Sequence, residues 1–83
     1  MAIIHAPEES AAEILNIYVH MFESRPGDVL RISNFMKVWF PRGFVVMEFL
    51  AGLEYAITQG WIEERPAIDA FKLTDTGFER AQP

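Results

Sequence analysis

The sequence contains no cysteine and no long apolar run, and both absences limit what the protein can be. Without cysteine there is no disulfide and no thiolate metal site, which fits a reducing compartment. Glu48 and Glu54 interrupt the longest apolar stretch, so no segment approaches the roughly 18 residues of a membrane span. The first residues lack the basic and apolar regions of a signal peptide. We therefore expect a cytoplasmic protein with no membrane segment.

Basic residues are also scarce. The 83-residue chain has 7 Lys and Arg against 12 Asp and Glu, which gives a formal net charge of −5. Proteins that bind nucleic acid usually carry a basic surface, because the neutralisation of phosphates supplies much of their affinity. A negative net charge leaves room for a local basic patch, but it makes nucleic-acid binding a weaker expectation.

The residue combinations that support catalysis or metal binding are missing as well. His5 and His20 have no neighbours at the spacing of metal ligands. Glu63 and Glu64 are adjacent in a predicted strand, where neighbouring side chains point to opposite faces and cannot readily share a site. The glycines form no phosphate-binding loop, and no serine lies in a nucleophile motif. We expect a protein that is not an enzyme and that binds no metal or cofactor.

What the sequence does contain is apolar side-chain area, with 51% hydrophobic and 13% aromatic residues. Disordered chains are poor in both classes, so this composition favours a folded chain. A chain of 83 residues is long enough for one domain and too short for two. We expect a single domain over residues 1–83, in which residues 1–6 form a flexible arm.

Apolar spacing and helix-start signals predict the elements of the first half. A first helix begins either at Pro7 or at a capping box that starts with Ser10, and it ends before Pro26-Gly27. Residues 28–32 alternate weakly and form either a short strand or an extended link. Ser33 is a candidate N-cap for a second helix that continues to residue 40.

The second half of the sequence has clearer signals. The longest helix is expected at residues 44–59, with Gly60 in the left-handed conformation just beyond its end. Strands are expected at residues 61–65 and 70–73, and Thr74 is a plausible cap of a short last helix. Apolar residues recur in the long helix at three- and four-residue steps: Met47, Leu50, Leu53 and Ile57.

The stretch from Gly60 to Gly77 also carries a family resemblance. Residues 53–63 read Leu-Glu-Tyr-Ala-Ile-Thr-Gln-Gly-Trp-Ile-Glu, and residues 71–77 read Phe-Lys-Leu-Thr-Asp-Thr-Gly. This succession of helix, glycine, Ile-Glu strand, wing and Leu-Thr-x-x-Gly resembles the pattern of MarR-like and PadR-like bacterial regulators in the winged helix-turn-helix superfamily. The resemblance implies a mostly helical α+β fold with three helices, a two- or three-stranded wing sheet and a short C-terminal helix.

In DNA-binding members of that superfamily, the second helix of the helix-turn-helix enters the major groove. The resemblance therefore implies a transcription-regulator-like domain that binds DNA as a dimer, with residues 44–59 as the recognition helix and residues 66–70 as the wing. The candidate DNA contacts are Lys37, Arg42, Arg65 and Lys72. The alternative for these cations is that they are ordinary solvated charges.

A second hypothesis is a protein-interaction or dimerisation module that does not bind DNA. Residues 44–59 contain no Lys or Arg, unlike helices that read a groove. Apolar residues surround much of this helix, which predicts either additional core packing or a protein interface. The interface candidates are Val45, Val46, Phe49 and Tyr55. A continuous basic rim around Arg42 and Lys72 would favour DNA, whereas an acidic or apolar surface would favour a protein partner.

Overall fold

The computed structural model of the protein describes residues 6–39, 41, 43 and 45–82. Over these residues the chain has the mostly helical α+β fold that the sequence predicts. The expected flexible arm at residues 1–6 lies outside the described residues, except for Ala6. The elements are α1 (Pro7–Asn16), β1 (Val29–Arg31), α2 (Ile32–Trp39), α3 (Val46–Thr58), β2 (Ile62–Arg65), β3 (Ala70–Leu73) and α4 (Asp75–Arg80).

The first helix, α1, begins at Pro7 and not at Ser10, the other predicted start. A proline is tolerated at the first helical position because the N–H that it lacks would have no partner within the helix. Ser10 instead lies within α1, and its side chain is buried. The α-helical part ends at Asn16, and a π-helical turn at Ile17–Met21 continues it, so the helix stops before the predicted end at Pro26-Gly27.

The start of α2 differs from the prediction by two residues. Ser33 is not its N-cap, because the helix already begins at Ile32. The side-chain oxygen of Asn34 accepts a hydrogen bond from the backbone N–H of Arg31 at 3.0 Å. Asn34 thus provides the side-chain contact at this helix start that was expected of Ser33.

The turn between α2 and α3 is held by two hydrogen bonds to one residue. The indole N–H of Trp39 donates to the carbonyl oxygen of Val45 at 2.8 Å. The carboxylate of Glu48 accepts the backbone N–H of Val45 at 2.9 Å, which satisfies a donor that the helix leaves free. At its other end α3 stops before Gly60, whose φ of 76° confirms the predicted left-handed residue.

The strands form an antiparallel sheet in which β3 lies between β1 and β2. The weakly predicted strand at residues 28–32 is therefore present, and its Leu30 pairs with Phe71 of β3. Both side chains are buried and face the helices. Thr74 accepts the backbone N–H of Gly77 at 3.0 Å, which confirms it as the N-cap of α4.

Aromatic side chains fill the centre of the core. Phe35 lies between Tyr18 and Phe49, with ring centroids 5.2 and 5.4 Å away, and Trp39 contacts Phe49 at 5.2 Å. The hydroxyl of Tyr18 donates to the carbonyl oxygen of Phe71 and so connects the first helical segment to the sheet. Burial raises the pKa of Tyr18 above its ordinary value.

Candidate interaction surface

Helix α3 packs one side against α1, and this contact decides which of its side chains face outward. Its buried residues include Phe49, Gly52, Leu53 and Ala56. A Cβ atom added at Gly52 would lie only 2.8 Å from the Cβ atom of Ser10 in α1. Because only glycine permits so close an approach, Gly52 must face α1. The opposite side of α3 is then left to solvent.

That opposite side is apolar. We call it the outer face of α3 and define it by four residues with exposed fractions of 52, 45, 73 and 55%: Val45, Val46, Met47 and Leu50. Helical residues three and four positions apart are neighbours, so Leu50 adjoins both Val46 and Met47. Single exposed apolar residues are common on protein surfaces, but a contiguous group often marks an interaction site.

The apolar spacing of α3 pointed to a different buried side. The stripe of Met47, Leu50, Leu53 and Ile57 has the spacing of a buried face, yet only Leu53 is fully buried. The contact with α1 uses the smallest residues of α3, because they let the two helix backbones approach. Met47 and Leu50 were therefore missed as surface residues. The signal that could have found them is Gly52, a glycine within a helix, which usually has a packing reason.

The four predicted interface residues divide into two pairs. Val45 and Val46 belong to the outer face. Phe49 is only 1% exposed and packs inside the core, so its assignment as a surface residue is corrected here. Tyr55 is half-buried, with its ring centroid 5.6 Å from that of Trp61. Phe49 thus lies on the core side of α3 and not on its outer face.

Two of the predicted DNA-contact residues, Arg65 and Lys72, lie beside an acidic side chain. Arg65 and Lys72 both approach the same carboxylate, that of Glu63, at 3.2 and 4.0 Å. Their charges are therefore partly neutralised within the β2–β3 hairpin. Lys37 is exposed on α2, while Arg42 lies outside the described residues.

Within the part of the chain that the structure describes, no three His, Asp or Glu side chains come together in a way that could hold a metal ion. His20 is exposed in the π-helical turn, and His5 lies outside the described residues. Over residues 6–39, 41, 43 and 45–82, no helix is both long enough and apolar enough to cross a bilayer.

Comparisons with known proteins give no relative for this chain. No protein-family model, no curated protein and no solved structure matches it. The function is therefore inferred from the geometry of the surface described above.

Proposed function

We propose that this chain is a winged helix-turn-helix domain that binds another protein through the outer face of α3. The order of its elements supports the first part: helix, strand, helix, helix, strand, strand and short helix is the order that the sequence resemblance implies. Gly60 and Thr74 support it further, because each has the cap position that this pattern requires.

The proposal that the domain binds a protein is supported chiefly by the exposed outer face of α3. Val46, Met47 and Leu50 are each about half or more exposed and adjoin along one side of α3. Apolar area removed from water stabilises a complex by about 25 cal/mol per Å². Such side chains offer neither a hydrogen bond to a base edge nor a charge to a phosphate, so they suit a protein surface better than a DNA groove.

DNA binding is the less supported function. The sequence of α3 has no Lys or Arg, and its exposed Glu54 follows Leu50 by one turn on the same side. In the β2–β3 hairpin, the candidate cations Arg65 and Lys72 both lie near the single carboxylate of Glu63. The negative charge of Glu63 reduces what this hairpin can contribute to replacing the counterions of DNA, and such positive charges supply most non-specific affinity.

Site-specific photo-crosslinking tests the proposal. A photoreactive phenylalanine analogue replaces Met47 in one variant and Glu64, an exposed residue of β2, in the control. In cells that produce the protein, we expect protein adducts from position 47 that are absent from position 64. Adding Leu50→Glu should remove these adducts. Identical adducts from both positions, or none from position 47, would contradict the proposal.

A titration with duplex DNA tests the alternative function. Fluorescence anisotropy of a labelled random duplex at low salt should show no saturable binding up to about 10 µM protein, within the range of ordinary non-specific affinity. A DNA-reading domain would instead show saturable binding that weakens steeply with salt. Lys72→Ala and Lys37→Ala would then reduce the affinity.

A further inference from the structure

The two helices on this side of the molecule, α1 and α3, carry charges of only one sign. The sequences of α1 and α3 contain no Lys or Arg but five acidic residues: Glu8, Glu9, Glu13, Glu48 and Glu54. Glu8, Glu9 and Glu54 are exposed. All cations of the chain are found in other segments, so neither helix has a charge that neutralises these carboxylates internally.

The exposed carboxylates lie beside the apolar surface. Glu54 follows Leu50 by four residues, which places it next to the outer face along the same side of α3. A shallow groove of about 380 Å³ is lined by both Glu54 and Pro7, the first residue of α1. Glu8 follows Pro7 directly and is exposed. The outer face is thus continued at its C-terminal side by a zone of negative charge.

A cation located beyond the C-terminal end of α3 does not interrupt that zone. Arg80 of α4 lies over the ring of Trp61, with its guanidinium carbon 5.4 Å from the ring centroid. Trp61 comes after the end of α3, beyond Tyr55, which it contacts. The guanidinium is therefore engaged on an aromatic ring past the C-terminal end of the helix.

This charge arrangement disfavours a second copy of the chain as the partner. A two-fold interface uses the same patch on both subunits, so a cation for Glu54 or Glu8 would have to come from that patch, to which α1 and α3 contribute no Lys or Arg. Like charges placed opposite one another cost several kcal/mol in an interface. Each chain also carries a net charge of −5, which adds repulsion between the two copies.

We propose that the partner is a cationic amphipathic protein segment, whose apolar side chains cover the outer face and whose flanking Lys or Arg residues meet Glu54 and Glu8. The proposal depends on the protein-binding function above and assigns its partner class. The apolar contact supplies affinity, while the charges steer the partner and select it against acidic or neutral competitors.

Two designed helical peptides test this assignment. Both have the same Leu and Ile face, and they differ only in flanking residues, which are Lys in one and Glu in the other. Amide chemical shifts of the isotopically labelled domain report where each peptide binds. We expect the Lys peptide to shift residues 46–54 and to bind about tenfold or more tightly than the Glu peptide, with an advantage that shrinks at high salt.

Charge variants test which carboxylates are responsible for the preference for the Lys peptide. Glu8→Gln together with Glu54→Gln should weaken binding of the Lys peptide about threefold or more, whereas Glu64→Gln, which removes one carboxylate on β2, should leave its affinity unchanged. Equal affinities for the two peptides would overturn the assignment. So would an equal effect of Glu64→Gln, shifts that occur only away from Glu8 and residues 45–54, or a failure of the Lys peptide to bind.

The oligomeric state separates this assignment from its alternatives. Light scattering should show a monomer at the concentrations used for the shifts. A stable dimer that Leu50→Glu dissociates would make a second copy the occupant and overturn the cationic partner. If position 47 still forms protein adducts while the Lys peptide fails, the partner class is wrong and the proposed function stands. If both experiments fail, the proposed function is wrong as well.

Discussion

Replacing Gly52 with alanine probes the helix crossing that turns the outer face of α3 toward solvent. The added Cβ atom would lie 2.8 Å from the Cβ atom of Ser10, 2.9 Å from its carbonyl carbon and 3.0 Å from the nitrogen of Ala11. Ordinary contacts of this kind begin at 3.4 Å. Two of the three atoms belong to the backbone of α1, so a side-chain rotation cannot relieve the overlap and the helix itself must move.

Two opposing effects determine the size of the change. Alanine is better than glycine in a helix interior by about 1 kcal/mol. Overpacking of a core contact costs about 1–3 kcal/mol, and obstruction by backbone atoms favours the upper part of that range. We therefore expect Gly52→Ala to lose about 1–2 kcal/mol of unfolding free energy. In a domain of this size, that lowers the Tm by about 5–15 °C.

Thermal unfolding followed by far-ultraviolet circular dichroism measures this loss. Ala51→Gly is the matched control, because it makes the reverse change at the half-buried neighbouring position and should lose about 1 kcal/mol from helix propensity. Both variants are then expected to be less stable than the wild type. If Gly52→Ala is instead stabilised by the propensity difference, the close crossing is refuted, and the outward orientation of Met47 and Leu50 loses its cause.

Three further substitutions test local features of the fold. Ser10→Ala should stabilise the domain by about 1 kcal/mol in urea denaturation, because the buried Ser10 hydroxyl oxygen has no hydrogen-bond partner among the described residues; an unchanged or lower stability would contradict this. Tyr18→Phe should lower the free energy of unfolding by about 1 kcal/mol at neutral pH, because it removes the hydrogen bond to the Phe71 carbonyl oxygen. Because burial raises the pKa of Tyr18, the unfolded chain loses the phenolic proton at a lower pH than the folded chain does. The free energy of unfolding should therefore be unaffected by this group below about pH 10 and should fall above it by up to about 1.4 kcal/mol per pH unit. Tyr18→Phe should lack this decline at alkaline pH, and curves of unfolding free energy against pH that run parallel for the variant and the wild type would disprove the effect. Thr74→Ala should cost about 1–2 kcal/mol, because it removes the acceptor for the Gly77 N–H, whereas Thr74→Ser should retain most of the stability.

The elements of the second half could be predicted because their signals are local. The strand at Ala70–Leu73 has the predicted bounds, and Gly60 and Thr74 have the predicted cap positions. Each of these assignments depends on a few neighbouring residues and on backbone conformation. The first half was predicted less well. The π-helical turn at Ile17–Met21 has no sequence signal among those considered, and Asn34 replaced Ser33 at the start of α2.

The surface of α3 was harder to predict than its existence. Its sequence is apolar over most of the circumference, so spacing alone fits more than one buried side. The choice was made by α1, whose Ser10 lies against Gly52, and that contact joins residues 42 positions apart in the sequence. Val45 and Val46 are exposed, whereas Phe49, also an interface candidate, is buried and Leu50, part of the predicted apolar stripe, is exposed.

Denaturant unfolding of Leu50→Glu and Leu53→Glu tests the central claim most directly. Leu50 is 55% exposed and Leu53 is 5% exposed, although both belong to the same apolar stripe. We expect Leu50→Glu to change the unfolding free energy by less than about 1 kcal/mol, since its carboxylate remains in water. Leu53→Glu should lose more than about 3 kcal/mol, because it buries a charge. An equal loss in the two variants would mean that Leu50 is a core residue and that α3 has no outer face.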